Sequence, residues 1–274
     1  MRSFDNLQHE GLLRMLEERL EDGAFLRLIQ KWLKAGVLDT DGQVVHPATG
    51  TPQGGIVSPV LANVYLHYAL DLWFHKVIKP RCHGEACLIR YADDFVAAFQ
   101  YQDDADRFYQ ELSQRLAKFG LELSAEKTRI IPFSGRQDLG KTSFDFLGFE
   151  FRWGTDRRGQ PRVQRRTARK KLRNSLQQFT DWCRKKSLGL MTDLFRELNA
   201  KLRGYYRYYG VNGNSASLWQ FFHQALRILF KWLNRRSHKQ SYTWAGFREL
   251  LRDFQVEPPA IVGRPKPRRA NGLT

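Results

Sequence analysis

The chain of 274 residues is long enough for one large domain or two smaller ones, and its 42% of hydrophobic residues suffice for a core. Its 45 lysines and arginines outnumber 28 aspartates and glutamates, which gives a formal net charge of +17. The excess is confined to one part, because residues 1–150 carry a net charge of −4 and residues 151–274 carry +21. Such a basic segment favours a polyanionic partner over a merely solvated surface.

The cysteines and the apolar segments indicate the cellular location of the chain. Cys82, Cys87 and Cys183 form an odd, sparse set, which predicts a reducing, cytoplasmic location. The spacing of Cys82, His83 and Cys87 matches no zinc-binding pattern. The first residues are polar rather than a secretory signal, and polar residues interrupt the longest apolar stretch, residues 60–74. We therefore expect no membrane partner.

The first part of the chain mixes helical and strand patterns. Periodicity predicts helices over residues 8–21, 23–36, 58–79 and 103–119, and strands over residues 88–91 and 95–99. Asp41-Gly42 predicts a short hairpin. Four phenylalanines that alternate around Gly148 predict a further strand pair or bend. Helices and short hairpins without a regular βαβ alternation favour an α+β fold, with an antiparallel sheet and helices on one face.

The pattern changes after Trp153, where strand signals nearly vanish. Helices are predicted over residues 164–186, 190–209, 215–236 and 243–254. We therefore predict a domain boundary at residues 153/154 and an all-α domain over residues 154–255. Residues 256–274 are rich in proline and basic residues, which predicts a poorly ordered tail.

Two adjacent aspartates, Asp93 and Asp94, lie with Ala92 at the predicted turn between two apolar strands. Adjacent carboxylates at this place are costly unless something compensates their charge. A divalent cation is the natural compensator, because Mg²⁺ binds a few carboxylates together with phosphate oxygens and water. The alternative is an ordinary aspartate-rich turn, and the dipeptide alone does not decide between them.

Three neighbouring segments favour a nucleotide site. In the segment TPQGG, Gln53 is suited to reading the shape of a nucleotide, and Gly54 allows close approach of the backbone to a flat ligand. Lys127, in the segment GLELSAEKT, supplies a cation suited to phosphate. The segment FLGF places a glycine bend among aromatic residues. Each segment is weak evidence alone, but their order and spacing together are specific.

These segments resemble a known family. YADD (91–94), TPQGGIVSPVLANVYL (51–66), GLELSAEKTRI (120–130) and FDFLGFEFR (144–152) are similar to successive blocks of the reverse transcriptases encoded by group II introns. LNAKLRGYYRYYG (198–210) and LFKWLNRRSHK (229–239) are similar to the thumb, or maturase, domain of that family. The resemblance covers about residues 4–254.

The resemblance implies a polymerase-type palm over residues 1–153 and an all-α thumb over residues 154–255. It implies RNA-templated DNA synthesis from deoxynucleotides with Mg²⁺ in a two-metal site. It also implies binding of structured intron RNA and of an RNA template–DNA primer hybrid. By this resemblance Asp93 and Asp94 are metal ligands and, with Lys127, catalytic residues. Four residues fall at the nucleotide and template positions, namely Phe4 as a steric gate at the sugar 2′ position, Gln53, Gly54 and Tyr91.

Nucleic-acid contacts are expected in the basic half of the chain. A dense basic helix is predicted from Arg165, Arg166, Arg169, Lys170, Lys171 and Arg173, and Arg203 and Arg207 alternate with Tyr205, Tyr206, Tyr208 and Tyr209. The tyrosines suit stacking on bases, but their helical spacing also allows packing in a core, which we favour.

The sequence departs from the family at its start. The family carries a fingers region and a first catalytic aspartate shortly before an aromatic–aspartate pair, and that pair matches Phe4-Asp5. We therefore expect an N-terminally truncated chain with impaired catalysis, because positioning dominates phosphoryl transfer. The open alternatives are a non-catalytic RNA-binding maturase fragment, a remnant without function, and a reverse transcriptase of retron or other non-intron type. Homodimer formation is also left open.

Overall fold

The computed structural model describes residues 8–34, 37–38, 44–45, 57–135, 139–156, 158–186, 189–235 and 242–262. The chain divides into two compact units, Met1–Pro132 and Phe133–Thr274. All strand pairs among the described residues are antiparallel. With the helices of both units, this pairing confirms the predicted α+β class.

The described residues of the first unit form four α-helices and two two-stranded sheets. The helices are α1 (His9–Glu17), α2 (Gly23–Lys34), α3 (Ser58–Leu66) and α4 (Gln102–Ala117), and the strands are β1 (Val37–Leu38), β2 (Val44–Val45), β3 (Ala86–Tyr91) and β4 (Asp94–Phe99). β1 pairs with β2, and β3 pairs with β4. The antiparallel pairing of β1 with β2 agrees with the short hairpin predicted there, and Asp41-Gly42 itself lies outside the described residues.

The helical run that begins with α3 continues to Arg81, slightly beyond its predicted end. It passes through two π-helical segments, His67–Asp71 and Phe74–Ile78, and ends in a 3-10 turn, Lys79–Arg81. Its apolar side packs with α1, α2 and α4 around a core whose fully buried side chains include Leu12, Leu33, Tyr65, Phe74 and Leu112. This core is the support on which the β3–β4 hairpin lies.

The β3–β4 hairpin has one face on this core and one face in solvent. Because side chains alternate along a strand, Leu88, Phe95, Ala97 and Phe99 pack against the core, whereas Cys87, Ile89 and Tyr91 on the other face are exposed. The core-facing row anchors the hairpin, so its turn end occupies a defined place at the edge of the unit.

In the described part of the second unit, the chain forms a three-stranded sheet and four α-helices. The strands are β5 (Ser143–Phe146), β6 (Phe149–Thr155) and β7 (Pro161–Thr167), and the helices are α5 (Arg169–Lys186), α6 (Met191–Tyr209), α7 (Ser215–Leu233) and α8 (Trp244–Asp253). β6 lies in the middle of the sheet. The helices share a second core, whose buried side chains include Phe179, Phe195, Leu198, Leu229 and Phe247.

Strand β7 corrects the sequence-based prediction, which placed a helix from residue 164 and almost no strand after Trp153. The strand has Val163 as its one aliphatic side chain, so no hydrophobic alternation marks it. Its pairing with β6 stabilises the strand in place of a hydrophobic row, since Arg166 lies directly opposite Glu150. The helix begins only at Arg169.

The end of the chain is also better ordered than predicted. The Tyr206 hydroxyl donates to the Glu257 carbonyl at 3.1 Å, and the Val262 amide donates to the Gly210 carbonyl at 2.7 Å. The prediction of a poorly ordered tail is therefore wrong for residues 256–262, and residues 263–274 lie outside the described part.

The compact units divide between Pro132 and Phe133, before the predicted boundary at residues 153/154. The three-stranded sheet thus belongs to the same compact unit as α5–α8. The assignment of residues 1–153 to a palm and 154–255 to a thumb stays a prediction. Among the described residues, no helix has both the length and the apolar run that a membrane span requires.

Candidate active site and nucleic-acid interface

The two aspartates lie at the turn end of the β3–β4 hairpin. Tyr91 pairs with Asp94, so that Ala92 and Asp93 alone form the turn, and Asp94 is the first residue of β4 rather than part of the turn. Ala92 has φ 52°, in the left-handed region that non-glycine residues seldom adopt. Asp93 is half-buried and Asp94 is exposed. The hairpin therefore presents two adjacent carboxylates at the edge of the unit.

An arginine two residues before the turn holds the turn backbone. The Nη1 atom of Arg90 donates to the Ala92 carbonyl at 2.9 Å and to Oδ1 of Asn63 at 2.8 Å. The same guanidinium binds Asp71 through two bonds, Nε to Oδ1 at 2.7 Å and Nη2 to Oδ2 at 2.6 Å. The turn is thereby tied to the helical run that begins with α3.

The remaining predicted nucleotide-site residues are only partly described. Tyr91 is 67% exposed on the solvent face of the hairpin, next to Asp94 across the strand pair. Lys127 is exposed in a short turn that its amide closes by donating to the Ser124 carbonyl at 3.0 Å. Phe4, Gln53 and Gly54 lie outside the described residues.

A second acidic group, which sequence reasoning missed, lies at the start of α4. Nδ1 of His83 is 3.0 Å from Oδ2 of Asp103 and 3.5 Å from Oδ1 of Asp104. The Asp104 carboxylate is already satisfied, because it accepts the His83 amide at 2.9 Å and Nη2 of Arg107 at 2.9 Å. A cation at this place would compete with Arg107 for the Asp104 carboxylate.

The six residues predicted to form one basic helix fall into two structural groups. Arg169, Lys170, Lys171 and Arg173 are exposed in the first turns of α5. Arg165 and Arg166 lie in β7, so the prediction that they belong to the same basic helix is wrong. Arg166 forms a two-bond ion pair with Glu150, at 3.0 and 2.7 Å, whereas Arg165 is exposed and donates to the Asn212 carbonyl.

The basic and aromatic residues of α6 also divide. Nη1 of Arg203 binds Oε1 of Glu257 at 3.0 Å, whereas Arg207 is exposed. The favoured prediction of core packing is confirmed for three of the four tyrosines, Tyr205, Tyr206 and Tyr209, which are buried or half-buried against the second core. Burial raises the pKa of each of these three hydroxyls. The fourth, Tyr208, is 54% exposed.

Tyr208 and Tyr209 contact the turn of the β5–β6 hairpin. That turn consists of Leu147 and Gly148, with φ 48° and 77°. The Tyr208 hydroxyl donates to the Leu147 carbonyl at 2.9 Å, and the rings of Tyr208 and Tyr209 pack on Phe149. The FLGF segment is thus fixed within the second unit by aromatic contacts.

Comparisons with known proteins show what the chain is similar to. Residues 1–151, more than half of the chain, match the family described as reverse transcriptase (RNA-dependent DNA polymerase). The chain is 28% identical to the group II intron-encoded protein LtrA of Lactococcus lactis subsp. cremoris, in an alignment that covers 77% of the chain and 47% of LtrA. It is 47% identical to an uncharacterized 91 kDa protein in cob intron of Schizosaccharomyces pombe, over 23% of the chain and 8% of that protein.

A solved structure of apo telomerase from Candida tropicalis aligns with a TM-score of 0.46 and 13% identity, over 93% of the chain and 44% of that structure's chain. The chain spans less than half the length of each of these three proteins. The family match and the similarity to LtrA confirm the predicted resemblance to group II intron-encoded reverse transcriptases. On the match over residues 1–151, the chain belongs to the reverse transcriptase (RNA-dependent DNA polymerase) family.

Proposed function

We propose that the chain carries the nucleotidyl-transfer site of an RNA-directed DNA polymerase of group II intron type. The observation that carries the proposal is the pair of carboxylates at the end of the β3–β4 hairpin, inside the segment that matches the reverse transcriptase family. The names of the intron-encoded relatives favour this type over a retron or other non-intron type.

The donor set at the turn suits Mg²⁺. Asp93 and Asp94 offer hard carboxylate oxygens, one half-buried and one exposed, which leaves room for water and phosphate oxygens. When bound, such an ion neutralises phosphate charge and orients the reacting oxygens. The protein's own part is to hold the two carboxylates at one place, to offer Lys127 as a cation for the phosphates of a deoxynucleotide, and to flank the site with the exposed ring of Tyr91.

Primer extension on an RNA template tests this proposal. We expect Mg²⁺-dependent extension that Asp93→Ala lowers by about a hundredfold or more, because misplaced reactive oxygens have costs of this order. Asp145→Ala is the matched control, since Asp145 is exposed on β5 near the turn of the other hairpin.

The dependence on Asp93 is the decisive quantity, because it tests the assignment of the site at any absolute rate of extension. Extension that survives Asp93→Ala would contradict the assignment of the site. Absence of any extension by the unmodified chain would favour the second candidate function.

The second candidate function is the binding of structured intron RNA without catalysis. The observation that favours it is the group of four exposed cations at the start of α5, Arg169, Lys170, Lys171 and Arg173. None of the four pairs with a carboxylate among the described residues. Unpaired cations on one helix end are the groups that release counterions when they contact phosphates.

Charge reversal tests whether the four cations at the start of α5 bind RNA specifically or only add to the overall positive charge. We expect Arg169→Glu with Arg173→Glu to weaken RNA binding and to reduce the salt slope by about 0.7–0.9 for each phosphate that the protein no longer neutralises. Arg184→Glu with Lys186→Glu is the matched control at the other end of α5, where both cations already pair with carboxylates, Asp181 and Glu197. Equal decreases in affinity in the two double variants would contradict a specific role for the start of α5.

A further inference from the structure

We propose that Arg90 is a positioning residue for the candidate metal site, because it fixes the turn backbone that carries Asp93 and Asp94. Asp71 and Asn63 hold its guanidinium in place. This inference rests on the proposed function of the Asp93–Asp94 turn, and it adds three residues outside the YADD segment to the site.

The bonds of Arg90 leave it little freedom. Nε and Nη2 face the two carboxylate oxygens of Asp71, and Nη1 is shared between Oδ1 of Asn63 and the Ala92 carbonyl. A weaker bond from Nη2 reaches the Asn63 carbonyl at 3.5 Å. All five N–H donors of the planar guanidinium are therefore used. A lysine could not reproduce this fork.

Burial makes the arrangement stiff. The Arg90 side chain is 11% exposed and the Asp71 side chain is 21% exposed, so water competes weakly for either partner. Charge-assisted bonds in such surroundings are stronger than bonds between neutral groups. The carbonyl of Ala92 is thus held by a group that cannot easily rotate away.

The turn requires such a hold for two reasons. Ala92 adopts φ 52°, a conformation that costs a residue with a side chain free energy. Asp93 and Asp94 follow directly in the chain, and adjacent like charges favour separation of their side chains. A bond to the carbonyl directly before Asp93 opposes both tendencies and keeps the carboxylates in place for a cation.

The helical run supplies the acceptors through an unusual backbone feature. Asn63 lies in α3, and Asp71 is the last residue of the π-helical segment His67–Asp71. A π turn is wider than an α turn and alters the direction in which the following side chains project. Single π turns often occur at functional sites, which fits a role for this one in directing Asp71 toward Arg90.

The first unit offers a matched control for a purely structural ion pair. Nη1 and Nη2 of Arg81 bind the two carboxylate oxygens of Glu111 at 3.1 and 2.7 Å, but Arg81 has no bond to the hairpin turn. Arg81→Gln therefore removes an arginine–carboxylate pair of the same kind from the same unit. If Arg90 contributes only to stability, Arg90→Gln and Arg81→Gln should have the same effect on the amide shifts of the turn. They should then differ only in their Tm.

The test uses the full chain, amide NMR signals and Mn²⁺ as the metal probe. In Arg90→Gln and in the milder Asn63→Ala, we expect the amide shifts of Ala92, Asp93 and Asp94 to change before any metal is added. In Arg90→Gln, the Mn²⁺ concentration that broadens the Asp93 and Asp94 signals should rise about ten- to a hundredfold, the usual effect of removing a group that supports metal ligands. Arg90→Lys should behave like Arg90→Gln, whereas Arg81→Gln should change neither quantity.

The outcomes distinguish this inference from the proposed function. Unchanged turn signals in folded Arg90→Gln, or an equal change in Arg81→Gln, would overturn the positioning role. If Arg90→Gln fails to fold, Asn63→Ala decides in the same way, because it keeps the ion pair with Asp71. If Mn²⁺ broadens no signal of the turn in the unmodified chain, the metal site itself fails, and the metal-free shifts still decide whether Arg90 holds the turn.

Discussion

The β3–β4 and β5–β6 hairpins both end in two-residue turns with a left-handed residue, but different forces hold them. In the first, a charged guanidinium binds the carbonyl of Ala92. In the second, the neutral hydroxyl of Tyr208 binds the carbonyl of Leu147, and the Ala168 amide binds the carbonyl of Gly148 at 2.9 Å. The first turn contains Asp93 and is followed directly by Asp94, whereas the second turn, Leu147 and Gly148, contains no acidic residue.

The difference between the bonds that hold the two turns suggests different roles for the two hairpins. A turn held by aromatic packing and neutral bonds gains stability without creating a local field, which suits a structural element. A turn held by an arginine that is itself neutralised by Asp71 lies next to two further acidic residues, Asp93 and Asp94. We propose that the arginine-held turn of the β3–β4 hairpin, and not the turn of the β5–β6 hairpin, serves as a cation site. The following predictions test this contrast.

The largest difference should appear at alkaline pH. Burial raises the pKa of Tyr205 and Tyr206 in the second unit, so both stay neutral in the folded state while the unfolded chain ionises near pH 10. Their contribution to the free energy of unfolding is complete below pH 10. It is lost as the pH rises toward the pKa of the folded state, by up to about 1.4 kcal/mol per pH unit for each tyrosine.

Urea unfolding at pH 9 and pH 11, followed by the methyl NMR signals of Ala97 and Ala168, measures the two units separately. The first unit contains one tyrosine of this kind, Tyr65, whose pKa burial also raises. We therefore expect the larger loss of stability at Ala168. Equal losses at the two methyl groups would contradict the contrast.

Exchanging the turn residues should give a smaller, asymmetric effect. Gly148→Ala should destabilise the second unit by about 1–2 kcal/mol, because the left-handed conformation is costly for alanine. Its new Cβ would also lie 3.2 Å from the Tyr209 hydroxyl. The converse change, Ala92→Gly, relieves strain but increases the entropy of the unfolded chain, so we expect less than about 1 kcal/mol in either direction.

Urea unfolding of the two variants measures these free energies. A stabilising Gly148→Ala, or a destabilisation by Ala92→Gly that exceeds that of Gly148→Ala, would show that the strain is distributed differently between the two turns.

The smallest effect is expected for Tyr208→Phe. Removing this hydroxyl should cost about 0.5–1 kcal/mol, because water can replace a bond made by a half-exposed side chain. Tyr101→Phe, at a side chain of similar exposure in the first unit, is the control. The turn signals of the second hairpin should shift without any change in Mn²⁺ binding at Asp93. Weaker Mn²⁺ binding in Tyr208→Phe would show that the two hairpins are not independent.

The elements with strong local patterns could be predicted from the sequence. The β3–β4 hairpin and α4 lie within two residues of their predicted bounds, because each has a regular alternation or periodicity. Strand β7 could not be predicted in this way, since cross-strand pairing rather than its own hydrophobic pattern specifies it.

The support of the candidate site was also beyond sequence reasoning. The carboxylates of Asp93 and Asp94 are visible in the sequence as an adjacent pair, but the partners of Arg90 lie 19 and 27 residues earlier in the chain. Their meeting depends on a π-helical segment that no local signal predicts. Likewise, His83 meets Asp103 only because β3, β4 and the start of α4 fold back onto one another.

Locating the metal-binding residues of the unmodified chain tests the central claim most directly. In a Mn²⁺ titration followed by amide NMR signals, we predict that Asp93 and Asp94 broaden first, well before Asp145 and Glu150 near the second turn. Broadening that begins at His83 and Asp103, or that occurs at both hairpins at the same Mn²⁺ concentration, would contradict this claim.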